Sequence, residues 1–327
     1  MTTYKEVVGT AILDYAGDIP NVVDGQVWYN STAKNFRYSA TVVGAWSTGN
    51  NMNTGRNSLA GAGTQTAALA IGGREPGYSA KTESYNGTNW TEVNDLNTAR
   101  GYLAGTGTTT AALAWGGISS PPTVIHNETE IWNGTNWTEV NNLNTARYSL
   151  NGAGSSTSAL GWGGRTPGTN TADIVEKWNG TNWTEVNDLN TGRRATGAAG
   201  AASTAVLAFG GVDGNGRSVQ TENYNGTNWT EVNNLNAAKA QGGSSGTNTA
   251  ALLYGGDTDS GETANTELWN GTNWTEVNNL NAVKDYLAGA GTTNATALAF
   301  AGESPAAGAS NVSEEFSETG GIKTITS

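Results

Sequence analysis

Cysteine is absent from these 327 residues, so the chain can build neither a disulfide framework nor a thiolate metal site. His126 is the sole histidine, which on this reading excludes a histidine-rich metal site and a histidine-based nucleophile triad. Cationic excess is also missing. The net charge is −12, and phosphate binding depends on clustered Lys and Arg, so nucleic acid and anionic membrane surfaces are excluded as partners. There is no run of 18 apolar residues to span a bilayer, and Met1–Glu6 lacks the charged-then-apolar layout of a secretion signal. A soluble chain with no signal peptide, no membrane insertion and no cofactor is expected.

What is present is repetition. Pairs of glycines recur at Gly72-Gly73, Gly116-Gly117, Gly163-Gly164, Gly210-Gly211 and Gly255-Gly256, with Ala301-Gly302 in the sixth place. The tryptophan of Asn-Trp-Thr-Glu-Val recurs in phase at Trp90, Trp137, Trp183, Trp229 and Trp274, with Trp46 as an outlying first member. A period of 40 to 50 residues marks a stacked-repeat architecture and overrides any domain count taken from length. Each block supplies four short strands. The first is nearly free of side-chain volume, as strands crowded round an axis must be. The second ends on a large apolar residue, the third on an aromatic one, and the Asn-Gly that follows is a hairpin turn into the tryptophan strand.

The two ends complement each other. Trp46-Ser-Thr-Gly49 reads as a fourth strand without partners before it, and the last block lacks its own tryptophan strand. Donating the first strand to the last block removes two exposed sheet edges. Ile322-Lys-Thr-Ile-Thr326 is a competitor for the same slot. The expected fold is therefore all-β: a six-bladed propeller of four-stranded antiparallel blades over 46–327, its ring closed by the N-terminal strand. An attachment segment over 1–45 carries a short hairpin built around Trp28, Tyr29, Phe36 and Tyr38.

The double glycine, the aromatic after the loop and the later tryptophan resemble the kelch repeat across residues 46–316, although Tyr85 and Trp90 stand five apart where six is usual for that family. The resemblance implies one propeller blade per repeat and transfers no residue-level function; the copper site of its oxidase members needs histidines that this chain lacks. Asp24-Gly-Gln-Val-Trp28-Tyr29-Asn30 and the near-identical Asn-Gly-Thr-Asn-Trp-Thr-Glu-Val tandem resemble the tail and appendage proteins of bacteriophages. That likeness implies a virion protein with other tail proteins as partners.

Repeat-to-repeat comparison separates scaffold from variable surface. The acids of Thr-Glu-Val (Glu92, Glu139, Glu185, Glu231, Glu276) recur unchanged, as do Arg56, Arg100, Arg147 and Arg193 with Lys239 and Lys284. Identical groups related by rotation read as scaffold, and pairing of these cations with those acids is expected. The Asn-X-Thr sequons read as turn chemistry rather than glycan acceptors. The loops between second and third strands differ freely, and divergent loops on a rigid scaffold are where recognition is placed. Candidate ligand-binding residues on that face are Arg74, Tyr78, His126, Arg165, Asp213, Arg217, Asp257, Asp259 and Glu262. The loop acids are the only candidates for carboxylate-pair hydrolysis or weak calcium binding, and are expected to be solvated. The expected function is a non-enzymatic phage tail-fibre or appendage protein that binds a host-surface receptor or glycan. The alternatives are a structural decoration subunit and a polysaccharide hydrolase.

Overall fold

The computed structural model describes residues 13–18, 26–40, 44–305, 308–318 and 321–324. These form two compact units, one from 45–317 and the other from 1–44 with 318–327. Strands are the sole regular element among the described residues.

In the larger unit the repeat becomes a series of four-stranded antiparallel sheets in chain order. The sheet Ala60–Thr64, Ala67–Ile71, Thr82–Tyr85 and Trp90–Val93 serves as pattern. Its third and fourth strands put Tyr85 opposite Trp90 and Glu83 opposite Glu92, with the aromatic pair packed at 5.0 Å between ring centroids. The second strand is buried along nearly its whole length because neighbouring sheets cover both of its faces. First strands must be small. A Cβ added to Gly61 would collide with the backbone carbonyl of Gly289, which belongs to the last sheet. The double glycine is needed for a different reason: Gly72 and Gly73 have φ of +63° and +103°, and Ala301 holds the same left-handed conformation at +63°.

Gly44–Thr48 is the fourth strand of the last sheet, beside Ser313–Glu318. Trp46 there donates its indole N–H to the Thr266 hydroxyl of the preceding sheet at 3.0 Å. That repeats the bonds Trp137 to Thr82, Trp183 to Thr129 and Trp274 to Thr221. The competitor strand goes elsewhere. Gly321–Thr324 pairs with Asn35–Ala40 in the smaller unit, and Ile325 and Thr326 lie outside the described residues. In that unit Val27–Asn30 and Asn35–Ala40 form the hairpin, with Trp28 opposite Arg37 and Tyr29 opposite Phe36.

One expectation about the scaffold is corrected. The repeated cations do not pair with the Thr-Glu-Val acids, which stay on exposed positions of the fourth strand. Each pairs with the glutamate of the third strand: Arg56 with Glu83 at 3.0 Å, Arg100 with Glu130 at 2.7 Å, Arg147 with Glu176 at 3.0 Å and Arg193 with Glu222 at 2.7 Å. Lys239–Glu267 and Lys284–Glu314 complete the set at 3.0 Å each. The reason is coverage. The segment entering each sheet folds over its third strand, and Asn53 donates its backbone N–H and its side-chain amide to the other oxygen of Glu83 at 2.7 and 3.0 Å. The arginine spends a second nitrogen on the carbonyls of Gly72 and Lys81 at 2.7 and 2.6 Å. Burial lowers these guanidinium pKa values, and the facing glutamate opposes that shift. Removing one member of such a pair costs roughly 3–5 kcal/mol because it strands a buried charge.

Candidate functional site

The two ends of each sheet differ in how much the repeats vary. At one end Asn86 accepts hydrogen bonds from the backbone of Thr88 and Asn89 at 3.0 and 2.8 Å, and Asn133, Asn179, Asn225 and Asn270 do the same in their sheets. These asparagines act as turn formers. At the other end, the loops between second and third strands bridge to the segments that enter the first strands, as in Asn57 with Arg74 and Tyr148 with Arg165.

The six entering segments meet at the mouth of a cavity of about 380 Å³ lined by the first strands. Two residues after each scaffold cation stand Ser58, Tyr102, Ser149, Ala195, Gln241 and Tyr286, all with left-handed φ between 49° and 61°. Holding non-glycine residues there costs of order 1 kcal/mol or more each. Backbone hydrogen bonds link them in series. Tyr102 donates to the Ser58 carbonyl, Ser149 to Tyr102, Ala195 to Ser149 and Gln241 to Ala195, while Ser58 donates to Tyr286 at 2.9 Å.

Side chains at this mouth fall into two arcs. On one side the Tyr102 ring meets Tyr148 and Tyr286 at 6.2 and 5.7 Å. Arg74 lies over Tyr78 and Tyr102 at 5.5 and 5.9 Å, and Arg165 over Tyr148 at 5.3 Å. Arg74 also donates to the Tyr102 hydroxyl at 3.2 Å, and Arg165 to Asn170 at 2.7 Å. On the other side stand Asp257, Glu262, Glu303 and Asp285, whose carboxyl is pushed up to about 7 by burial first and then by those three neighbours. The Asp285 side chain is buried, with Oδ1 unpartnered. Between the arcs, burial and the Tyr102 and Asp285 charges push Tyr286 up to about 12. Arg217 joins the arcs by pairing with Asp257 and, at 3.2 Å, with Asp259.

The sequence candidates therefore do not all converge. Arg74, Tyr78, Arg165, Arg217, Asp257 and Glu262 lie beside the entering segments at this end, Arg165 together with Tyr148 in a second pocket of about 390 Å³. Asp213 accepts from the Asn215 backbone at 2.7 Å as a turn residue. Asp259 is the exposed partner of Arg217. His126 is only 5% exposed, with one ring nitrogen 2.8 Å from Glu128 and the other 2.7 Å from the Ser119 hydroxyl. That is the bond order of a nucleophile relay, which a single histidine suffices to build; the exclusion drawn from histidine count does not hold for geometry. In the smaller unit Trp28 is buried, Tyr29 and Phe36 pack edge to face at 5.2 Å, Phe36 is exposed and Tyr38 half-buried.

Sequence reasoning missed Tyr102, Tyr148, Arg194, Asp285, Tyr286 and Glu303. A signal existed. The two positions after each scaffold cation read Asn-Ser, Gly-Tyr, Tyr-Ser, Arg-Ala, Ala-Gln and Asp-Tyr, as variable as the loops yet embedded in a constant block. Among the described residues no cluster of three or more acids or histidines could hold a metal ion.

No family model and no curated protein matches the chain. Among solved structures, one described as "Structure of YjhT" is similar with a TM-score of 0.70 at 12% identity, over 84% of this chain and 99% of that one. Together with the four-stranded antiparallel sheets, this likeness shows a β-propeller-like fold and nothing of activity.

Proposed function

We propose that the six sheets are the blades of a closed, kelch-like propeller sealed by Gly44–Thr48, and that the chain is a non-enzymatic binding module of a phage virion. In this reading it is a tail fibre or appendage, the smaller unit attaches it to other tail proteins, and the mouth takes a host-surface glycan. Closure is supported by the bond from Ser58 to Tyr286, which joins the first repeat to the last, and by Trp46 filling the place of the repeat tryptophan. The phage setting is supported by the repeat style and the N-terminal motif alone. The observation that carries the binding role is the cluster of Tyr102, Tyr148 and Tyr286 with Arg74 and Arg165, at the end of the sheets where the repeats diverge. Aromatic rings offer flat apolar faces, and half-buried polar groups fix orientation; that combination suits a saccharide.

Purified protein applied to intact host cells and to a glycan array tests this. Saturable binding that Tyr102→Ala weakens at least tenfold is the expected result. No binding at micromolar protein, with normal incorporation into particles, would sink recognition and leave the decoration-subunit reading. A second reading, hydrolysis, is favoured by one observation, the Glu128–His126–Ser119 relay. Labelling of Ser119 by a fluorophosphonate, lost in His126→Asn, would establish it; the expectation here is no labelling.

A further inference from the structure

The chain has 16 cationic side chains against 28 acids, and among its nine arginines one without an acid partner is the exception. Six of the cationic side chains are the buried scaffold cations, each on its glutamate. Arg37, Lys81 and Arg217 also face acids. Three arginines at the variable end of the sheets make no ion pair among the described residues: Arg74, Arg165 and Arg194. Arg194 stands furthest from the pattern. Its side chain makes no hydrogen bond or ion pair among the described residues, although it is half-buried and bridges to Val212 through its backbone. The next residue, Ala195, donates to the Ser149 carbonyl at 2.8 Å, which sets Arg194 beside the Tyr148–Arg165 bridge, and Arg165, Tyr286, Tyr148 and Arg217 all act on its charge. Burial, and after it the like charge of Arg165, depresses its pKa below the ordinary guanidinium value.

Leaving a guanidinium partly desolvated beside two other arginines is costly unless something else supplies the negative charge. In an acidic protein an internal carboxylate could have filled that place, as it does for Arg217. We propose that Arg194, with Arg165, is the anchor for a carboxylate on a hydroxyl-rich ligand, an acidic saccharide whose single negative charge sits on the arginine side of the cavity mouth. This rests on the saccharide-binding reading above and narrows it.

Two features select a monoanion. The fork of a guanidinium matches a planar carboxylate through two parallel hydrogen bonds. The opposite arc, with Asp257, Glu262, Asp285 and Glu303, would repel a sulfate-rich or phosphorylated body, whereas its oxygens accept hydrogen bonds from sugar hydroxyls. A ligand with one charged end and one polyhydroxyl end is complementary to both arcs at once. Tyr286, which follows Asp285 in the chain and lines the cavity, offers the ring on which the sugar would stack.

The test uses the full chain on an array bearing neutral, uronate-containing, sulfated and phosphorylated glycans. The expected bound set is carboxylated, and raising the salt from 0.05 to 0.5 M weakens it. For the best hit, calorimetry with Arg194→Gln should show at least tenfold weaker binding, with Arg194→Lys intermediate and Arg37→Gln unchanged. Equal thermal unfolding of wild type and variants serves as the fold control, and Arg165→Gln repeats the test should Arg194→Gln fail to fold. A bound set that is neutral, sulfated or phosphorylated, or an unchanged affinity in both arginine variants, overturns the inference while glycan binding stands. An empty array overturns both.

Discussion

Trp229 shows how closely a single position is specified. Its indole N–H is buried without a partner, whereas Trp46, Trp90, Trp137, Trp183 and Trp274 each donate to a hydroxyl of the neighbouring sheet. Those hydroxyls belong to the residue that opens the third strand: Thr82, Thr129, Thr221, Thr266 or Ser313. At the equivalent place the sheet facing Trp229 has Val175. Val175→Thr is expected to raise stability by about 1 kcal/mol, because it satisfies a buried donor; chemical denaturation of the variant checks this. Thr82→Val, which orphans Trp137, should cost about 1–3 kcal/mol in the same assay. Asp285 gives a prediction with a pH signature. Its folded-state pKa lies near 7, above its usual value of 3.8, so the folded protein retains a proton that the unfolded chain gives up. The associated stability is present at low pH and is lost as pH rises toward 7. Asp285→Asn should therefore raise the melting temperature at pH 8 and change it little at pH 4.

At the scale of the element, the unit of construction is the segment that enters each sheet. It delivers an asparagine and a cation to one glutamate, then turns through a left-handed residue into the first strand. Glu176→Gln should cost roughly 3–5 kcal/mol, since Arg147 is left buried and unpaired, while Glu185→Gln on the exposed fourth strand should change stability by no more than about 0.5 kcal/mol. Parallel urea titrations of the two variants would distinguish them, and equal effects would contradict the assignment. First strands obey a steric rule instead. A Cβ on Gly289 meets the Tyr254 hydroxyl and the Ser244 carbonyl, so Gly289→Ala should lose about 1–3 kcal/mol.

For the molecule as a whole, the proposed closure places the burden on one strand contributed by the far end of the chain. Trp46 packs on Tyr254 and Phe316 at 4.8 and 5.2 Å. Trp46→Ala should cost about 3–5 kcal/mol and expose the edge of the last sheet, seen as a lower denaturation midpoint and concentration-dependent association. Removal of 1–40 and 319–327 should leave the larger unit folded, with unchanged cooperative unfolding, and, on the virion reading proposed above, abolish incorporation into particles. Loss of cooperative unfolding would show that the smaller unit belongs to the core.

The sequence by itself determined the repeat, the four strands per block and the end at which repeats vary, whereas it left Trp46–Gly49 and Ile322–Thr326 as competitors for the outer place in the last sheet, a choice that strand pairing settled. These are local or periodic properties: a glycine pair, an Asn-Gly turn and an aromatic at fixed spacing each act within a few residues. Only tertiary structure decided which glutamate takes the scaffold cations, because Glu83 and Glu92 lie opposite each other and differ only in what covers them. It also decided which variable residues meet. Tyr102, Tyr148, Arg194 and Tyr286 come from four separate repeats and share one mouth because the first strands run side by side, a proximity that no spacing along the chain encodes. The same applies to His126, whose two partners are fixed by the folding of one hairpin rather than by the presence of further histidines.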